Sequence, residues 1–217
     1  MAEWYPMMIK LAGRKCVVFG GGPVAQRKAA GLLQAEADVL VVSPSATPAV
    51  REWAETGHLR WAEREAAADD LEGVALAFAA TGLPEVNRRI AAWARSRAVP
   101  VNVADEGDEG DFLVPAVHRQ GGLVLTASSS GAGPALASRI IGELAERYGP
   151  EYNEYMIALR TIRTIVKRTV PDPAERRALL RAAATEEALA EWRAAGRPDD
   201  AEQVVARLRQ RAKDQKG

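Results

Sequence analysis

The sequence predicts an α/β fold: an N-terminal, doubly wound parallel sheet of Rossmann type, a small central region, and an all-helical C-terminal domain. Three observations carry that reading. Short β-branched runs alternate with helical periodicity through about residue 104, a hairpin-like pair follows, and the last third shows helical spacing alone, broken by prolines. The boundaries this implies are residues 1–111, 112–148 and 149–217.

Lys15 to Phe19 (KCVVF) is a β-branched run that enters Gly20-Gly21-Gly22, after which Val24, Ala25, Ala29, Leu32 and Leu33 fall at helical spacing. Asp38 to Val42 reads as a second buried strand ended by Ser43-Pro44, so the first 44 residues form one βαβ unit with parallel strands. Arg51 to Thr56 is a short helical piece, Leu59 to Ala62 a weak strand, Val74 to Ala80 a strong one, Glu85 to Arg97 a helix and Pro100 to Ala104 another strand. An acidic loop, Asp105 to Asp111, then leads to strand-like runs Phe112 to Val117 and Leu123 to Ser128 around Arg119-Gln120-Gly121-Gly122. Helical spacing resumes from Pro134 to Tyr148, breaks at Gly149-Pro150, and returns in three stretches at about 151–170, 173–195 and 199–214.

Composition narrows the function. The 217 residues carry 29 Lys+Arg against 29 Asp+Glu, a net charge of zero, which gives no general attraction to nucleic acid or anionic membrane. One cysteine, Cys16, cannot close an intrachain disulfide, and with two distant histidines, His58 and His118, it cannot build a usual zinc cage, so no metal site is expected. The N-terminus MAEWYPMMIKL holds an acid at position 3 and only a short apolar run, neither a signal peptide nor a membrane span, and points to the cytoplasm.

Gly20-Gly21-Gly22-Pro23-Val24-Ala25 fits G-x-G-x-x-A between a strand and a helix, the context that makes this pattern a dinucleotide fingerprint. Gly20 permits the tight turn, Gly22 lets backbone approach a pyrophosphate, Ala25 keeps helix close to strand, and the helix N-terminus faces the phosphates. At the end of the second strand, Ser43 stands where an NAD site usually has Asp or Glu, and it can still hydrogen-bond a ribose. No Arg or Lys lies between Ser43 and Arg51 to grip a 2′-phosphate, so NAD is preferred to NADP.

Together with Trp4-Tyr5-Pro6-Met7, the runs GGGPVAQRK (20–28), AATGLPEVN (79–87), VNVAD (101–105), DFLVPA (111–116) and GPALASR (133–139) resemble the precorrin-2 dehydrogenase/sirohydrochlorin ferrochelatase family, the N-terminal half of siroheme synthase. The resemblance covers about residues 4 to 145. It implies an NAD-binding domain, a central dimerisation region at 112–148 and a helical C-terminal domain, in an intertwined homodimer. The methyltransferase half of the fused members is expected to be absent, because the chain ends where it would begin. The implied reaction takes precorrin-2, a tetrapyrrole with eight carboxylates, to sirohydrochlorin by loss of a hydride to NAD⁺ and a proton. Some members then insert Fe²⁺, which is a substrate rather than a bound cofactor. Asp105 matches the family's catalytic aspartate; a carboxylate at a strand's C-terminal end suits a general base beside the nicotinamide. Thr81 and Asn102 fall in motifs on the cofactor side, and Ser128 and Ser129 on the substrate side, Ser129 aligning with a serine phosphorylated in one branch.

Two departures stand out. Ser130 replaces a usual glycine, with Gly133 before Pro134, and Ala35-Glu36-Ala37 ends the first helix where the family places a glycine. In the tail, Ile157, Ile162, Ile165 and Val166 occupy one helix side, while Arg160, Arg163 and Lys167 recur at i, i+3 and i+7 on another. Such cations suit a polycarboxylate substrate. From the residues alone, a nucleotide-sensing module without catalysis and a dehydrogenase of another substrate remain open.

Overall fold

The computed structural model describes residues 4–104, 109–195 and 200–214. The chain divides into two compact units, Met1–Val114 and Pro115–Gly217.

In the first unit, strands β1 (Lys15–Phe19), β2 (Asp38–Val42), β3 (Arg60–Ala62), β4 (Leu76–Ala79) and β5 (Val101–Val103) form one parallel sheet in the order β3-β2-β1-β4-β5. Phe19 at the end of β1 lies level with Val42 of β2 and Ala79 of β4, so three strands finish together at the C-terminal edge. Helices α1 (Pro23–Gln34), α2 (Pro48–Glu55) and α3 (Pro84–Ser96) make the crossovers, with a 3₁₀ turn at Ala68–Leu71. Alternate residues of β1 serve opposite faces: Cys16 and Val18 join Ala25, Ala29, Leu32 and Val50, whereas Val17 and Phe19 join Leu71, Ile90, Ala91 and Ala94. A strand buried on both faces must be apolar throughout, which is why KCVVF reads as a continuous run rather than an alternation. Each of the three helices begins with proline at its first position, where the missing N–H costs nothing and φ is already helical. That signal starts α2 three residues earlier than the apolar spacing predicts.

The order turns at β1, from which the chain moves outward to β2 and β3 and later returns to the other side at β4. A crevice at such a switch point is where open α/β sheets take their ligands.

In the second unit, β6 (Ala116–Gln120) and β7 (Leu123–Ala127) pair antiparallel around Gly121-Gly122. The first central strand thus begins four residues later than expected. The reason is that Phe112 is still held on the first unit, its ring edge-on to Phe78 with centroids 5.4 Å apart and its carbonyl accepting from Asn102 Nδ2 at 2.9 Å. Helix α4 (Pro134–Arg147) packs on the hairpin, and α5 (Glu151–Thr169), α6 (Pro173–Ala182), α7 (Glu186–Ala195) and α8 (Ala201–Asp214) enclose a core of Ile162, Ile165, Val166, Leu179, Trp192 and Leu208. The indole N–H of Trp192 is buried there without a hydrogen-bond partner among the described residues. The expected helix at 173–195 is two helices, because Thr185 caps a new one through Ala188 N–H on its Oγ1 (3.3 Å), with Glu186 and Glu187 in the first turn. No helix among the described residues is long and apolar enough to cross a membrane.

Candidate functional site

The glycine turn leaves β1 at the switch point and is clamped from both sides. Gly20 has φ +117° and donates its N–H to the Val42 carbonyl at 2.9 Å; a Cβ there would collide with the Ala80 carbonyl. Gly21 accepts from Thr47 N–H at 2.9 Å, and a Cβ on it would collide with the Ser45 carbonyl. Gly22 differs, because nothing lies within 4 Å of where its Cβ would be. It is the N-cap of α1 with extended backbone and no side-chain cap, followed by Pro23 and Val24. The first turn of α1 therefore offers backbone N–H groups and its positive dipole end to an open space. Ala25 is fully buried against the sheet and keeps α1 close to β1. An uncapped helix start behind a backbone without a side chain suits a pyrophosphate, so the residues present fit a dinucleotide.

The neighbouring strand ends complete the edge. Ser43 is buried, its N–H donating to Ala62 O at 3.1 Å and its carbonyl accepting from Trp61 Nε1 at 3.0 Å. Arg51, on the first turn of α2, folds back so that its Nε donates to the Ala46 carbonyl at 3.1 Å, with the guanidinium 5.7 Å from the Trp61 ring centroid. After β4, the buried Asn87 on α3 organises Thr81: its Oδ1 accepts from Thr81 N (3.1 Å) and Thr81 Oγ1 (2.7 Å), and its Nδ2 donates to Thr81 O (3.2 Å). On β5, Asn102 is buried and spends its amide N–H on Phe112, while Asp111 accepts from Val101 N–H at 2.9 Å and donates its own N–H to Val101 O at 2.7 Å. These bonds fold residues 109–112 back on β5. Asp105, the proposed base, lies outside the described residues, as do Glu106 and Asp108; the residue before it, Ala104, donates its N–H to Ala79 O at 2.8 Å. Cys16, deep in β1, is no nucleophile, since burial pushes its thiol up.

In the second unit, Ser128 Oγ accepts from Ser130 N–H (3.2 Å) and Ser129 Oγ from Gly133 N–H (3.0 Å), leaving both hydroxyl protons to donate elsewhere. Arg160, Arg163 and Lys167 are exposed on α5 and have no ion-pair partner among the described residues. Arg160 lies over Gly122 in the hairpin turn, where a Cβ would meet its Nη2 at 2.6 Å. The structure does not gather all five: Ser128 and the turn sit at opposite ends of β7, roughly 20 Å apart at the rise of a strand. Ile157 is 40% exposed, and Ala158 takes its place beside Ile162, Ile165 and Val166 on the buried side, so the expected apolar stripe is shifted by one residue. His118 Nε2 meets the Tyr148 carbonyl at 3.0 Å, which occupies that nitrogen structurally.

Residues 7–116 match the family model described as "Putative NAD(P)-binding". The chain is 36% identical over 175 residues to siroheme synthase of Chromobacterium violaceum, covering 81% of this chain and 37% of that one. It is 32% identical over 164 residues to precorrin-2 dehydrogenase of Priestia megaterium, covering 76% and 81%. The chain belongs to the precorrin-2 dehydrogenase family. Among solved structures, SirC, a precorrin-2 dehydrogenase, shares the fold of this family member with a TM-score of 0.74 and 26% identity, over 95% of this chain and all of SirC. The chain spans about two fifths of the length of the siroheme synthases it matches.

Within this precorrin-2 dehydrogenase family member, both positions where glycine is replaced carry positive φ: Glu36 at 58° and Ser130 at 52°. Sequence reasoning missed three residues that shape the edge. Gly21 was passed over because the G-x-G-x-x-A pattern leaves its position open. Asn87 sits in a helix, where nothing marks it as a loop anchor, and Arg51 lies eight residues beyond Ser43 yet returns to the loop.

Proposed function

We propose that this chain is an NAD-dependent precorrin-2 dehydrogenase that makes sirohydrochlorin for siroheme or cobalamin biosynthesis. The observation that carries the proposal is the clamped glycine turn, with Gly22 open at the switch point, in a chain 32% identical to a precorrin-2 dehydrogenase. NAD⁺, when bound, supplies the hydride acceptor. Gly20, Gly22, Pro23, Val24 and Ala25 form the pyrophosphate cradle, Ser43 bonds the adenosine ribose, and Thr81 and Asn102 hold the strand ends on the nicotinamide side.

Asp105 acts as general base and takes the proton that precorrin-2 loses as its hydride leaves, so that two electrons and two protons are removed in all. Its support is position: it follows Ala104 directly, where β5 still pairs with β4. The same carboxylate would collect pyrrole N–H protons if Fe²⁺ then enters as substrate. Ser128, Ser129, Arg160, Arg163 and Lys167 hold substrate carboxylates, the three cations having no ion-pair partner among the described residues. A second copy of the chain covers Val117 on β6 and Leu136 and Ile140 on α4, which are 39%, 47% and 37% exposed and apolar.

Incubation with precorrin-2 and NAD⁺, followed by the absorbance of sirohydrochlorin, tests the reading. Wild-type turnover is expected, with Asp105→Asn slower by about 10²-fold or more. No turnover by wild type sinks the proposal, and NAD binding without turnover would favour a sensing module. Adding Fe²⁺ or Co²⁺ to the product then tests chelation.

A further inference from the structure

The adenosine end of the site carries a cation that the linear sequence conceals. In a Rossmann site, a carboxylate after the second strand binds the ribose hydroxyls and repels a 2′-phosphate, whereas an arginine there accommodates that phosphate. From Ser43 to Val50 this chain has no acidic residue. The loop is fixed on the phosphate cradle, since Thr47 N–H bonds the Gly21 carbonyl and the Ser45 carbonyl abuts Gly21.

Arg51 is tied to the same loop. Its Nε bonds Ala46 O, its guanidinium faces Trp61 at 5.7 Å, and the Trp61 indole N–H bonds Ser43 O. The ring and the cation are thus anchored on two carbonyls of one loop, three residues apart. Among the described residues no carboxylate pairs with Arg51, so its terminal N–H groups stay available to an anion. Ser45, exposed on the loop, adds a hydroxyl.

We infer that Arg51 lets this site take a 2′-phosphate, so that the chain binds NADP as well as NAD and Arg51 sets the ratio of the two affinities. This rests on the nucleotide-binding reading above. Calorimetric titration of the full chain with NAD⁺ and NADP⁺ tests it, with 5′-AMP and adenosine 2′,5′-bisphosphate as probes of the adenosine end alone.

Wild type should bind NADP⁺ within about tenfold of NAD⁺, more salt-sensitively because of the extra dianion. Arg51→Ala should lower the NADP-to-NAD ratio by about tenfold or more, and Arg51→Lys by less, since lysine keeps the charge and loses the fork. NAD⁺ binding with NADP⁺ rejected by wild type, or a ratio unchanged in both variants, would overturn this inference alone. Binding of neither nucleotide would overturn the nucleotide reading with it. Should Arg51→Ala fail to fold, wild-type preference for the 2′,5′-bisphosphate over 5′-AMP still decides: preference supports the role of a cation here, and indifference overturns it.

Discussion

Three consecutive glycines at 20, 21 and 22 are glycine for different reasons. Gly20 and Gly21 each face a backbone carbonyl that cannot yield, whereas Gly22 faces open space at φ −80°. Gly20→Ala or Gly21→Ala should therefore cost about 2 kcal/mol or more, as overpacking against backbone does, and urea unfolding would register it. Gly22→Ala should leave the unfolding midpoint near wild type and weaken NAD⁺ by about tenfold in calorimetry, because its methyl occupies the phosphate approach. Motif spacing made Gly20 and Gly22 legible. The demand on Gly21 comes from Ser45, a contact that only the folded loop creates. Glu36 and Ser130 make the converse case: as left-handed residues with side chains, each is strained by about 1 kcal/mol, so Glu36→Gly and Ser130→Gly should each raise the melting temperature by a few degrees.

Among the elements, the 3₁₀ turn before β4 depends on one buried acid. Asp70 is 6% exposed and is held by Arg64 through two bonds of 2.9 and 2.5 Å and by Ala67 N–H at 2.9 Å. Burial pushes its carboxyl up, but the Arg64 fork and the backbone bond outweigh it, so the carboxyl lies below its ordinary 3.8. A depressed acid adds stability that is fully present above about pH 4 and is lost as pH falls through the lowered value. Asp70→Asn should cost about 1–3 kcal/mol at pH 7 and flatten the acid limb of a stability-against-pH curve measured by urea unfolding.

Strand identity was legible for β1, β2 and β4 because buried parallel strands are apolar on both faces, and for β5 from Val101 and Val103 on either side of the buried Asn102. The start of β6 was not, since it waits on Asn102 and Phe112 across ten residues. Nor was the break before α7, although Thr185-Glu186-Glu187 is a capping signal that outweighs the continuous helical spacing around it.

For the whole molecule, the zero net charge hides two opposed regions. Residues 105–111 hold five acids and no cation, while residues 156–181 hold seven cations and two acids. The two units have separate cores, so unfolding should not be a single transition. NAD⁺ at about 100 times its dissociation constant should raise the first unit's transition by about 2.7 kcal/mol in denaturant unfolding and leave that of the helical unit in place. At this scale the helical tail's role was least legible, because amphipathic helices follow from packing and only Arg160, Arg163 and Lys167, without ion-pair partners among the described residues, distinguish one face.

Four of the five tryptophans, at 4, 53, 61 and 93, belong to the first unit, and Trp192 is the fifth. Its ring is 4% exposed in an apolar core, with a buried indole N–H that has no hydrogen-bond partner among the described residues. The helical half thus carries an intrinsic single-fluorophore reporter. With the other four replaced by phenylalanine, its emission should lie far to the blue while the bundle is intact and move red only when the bundle opens, optically separating the two halves of one chain.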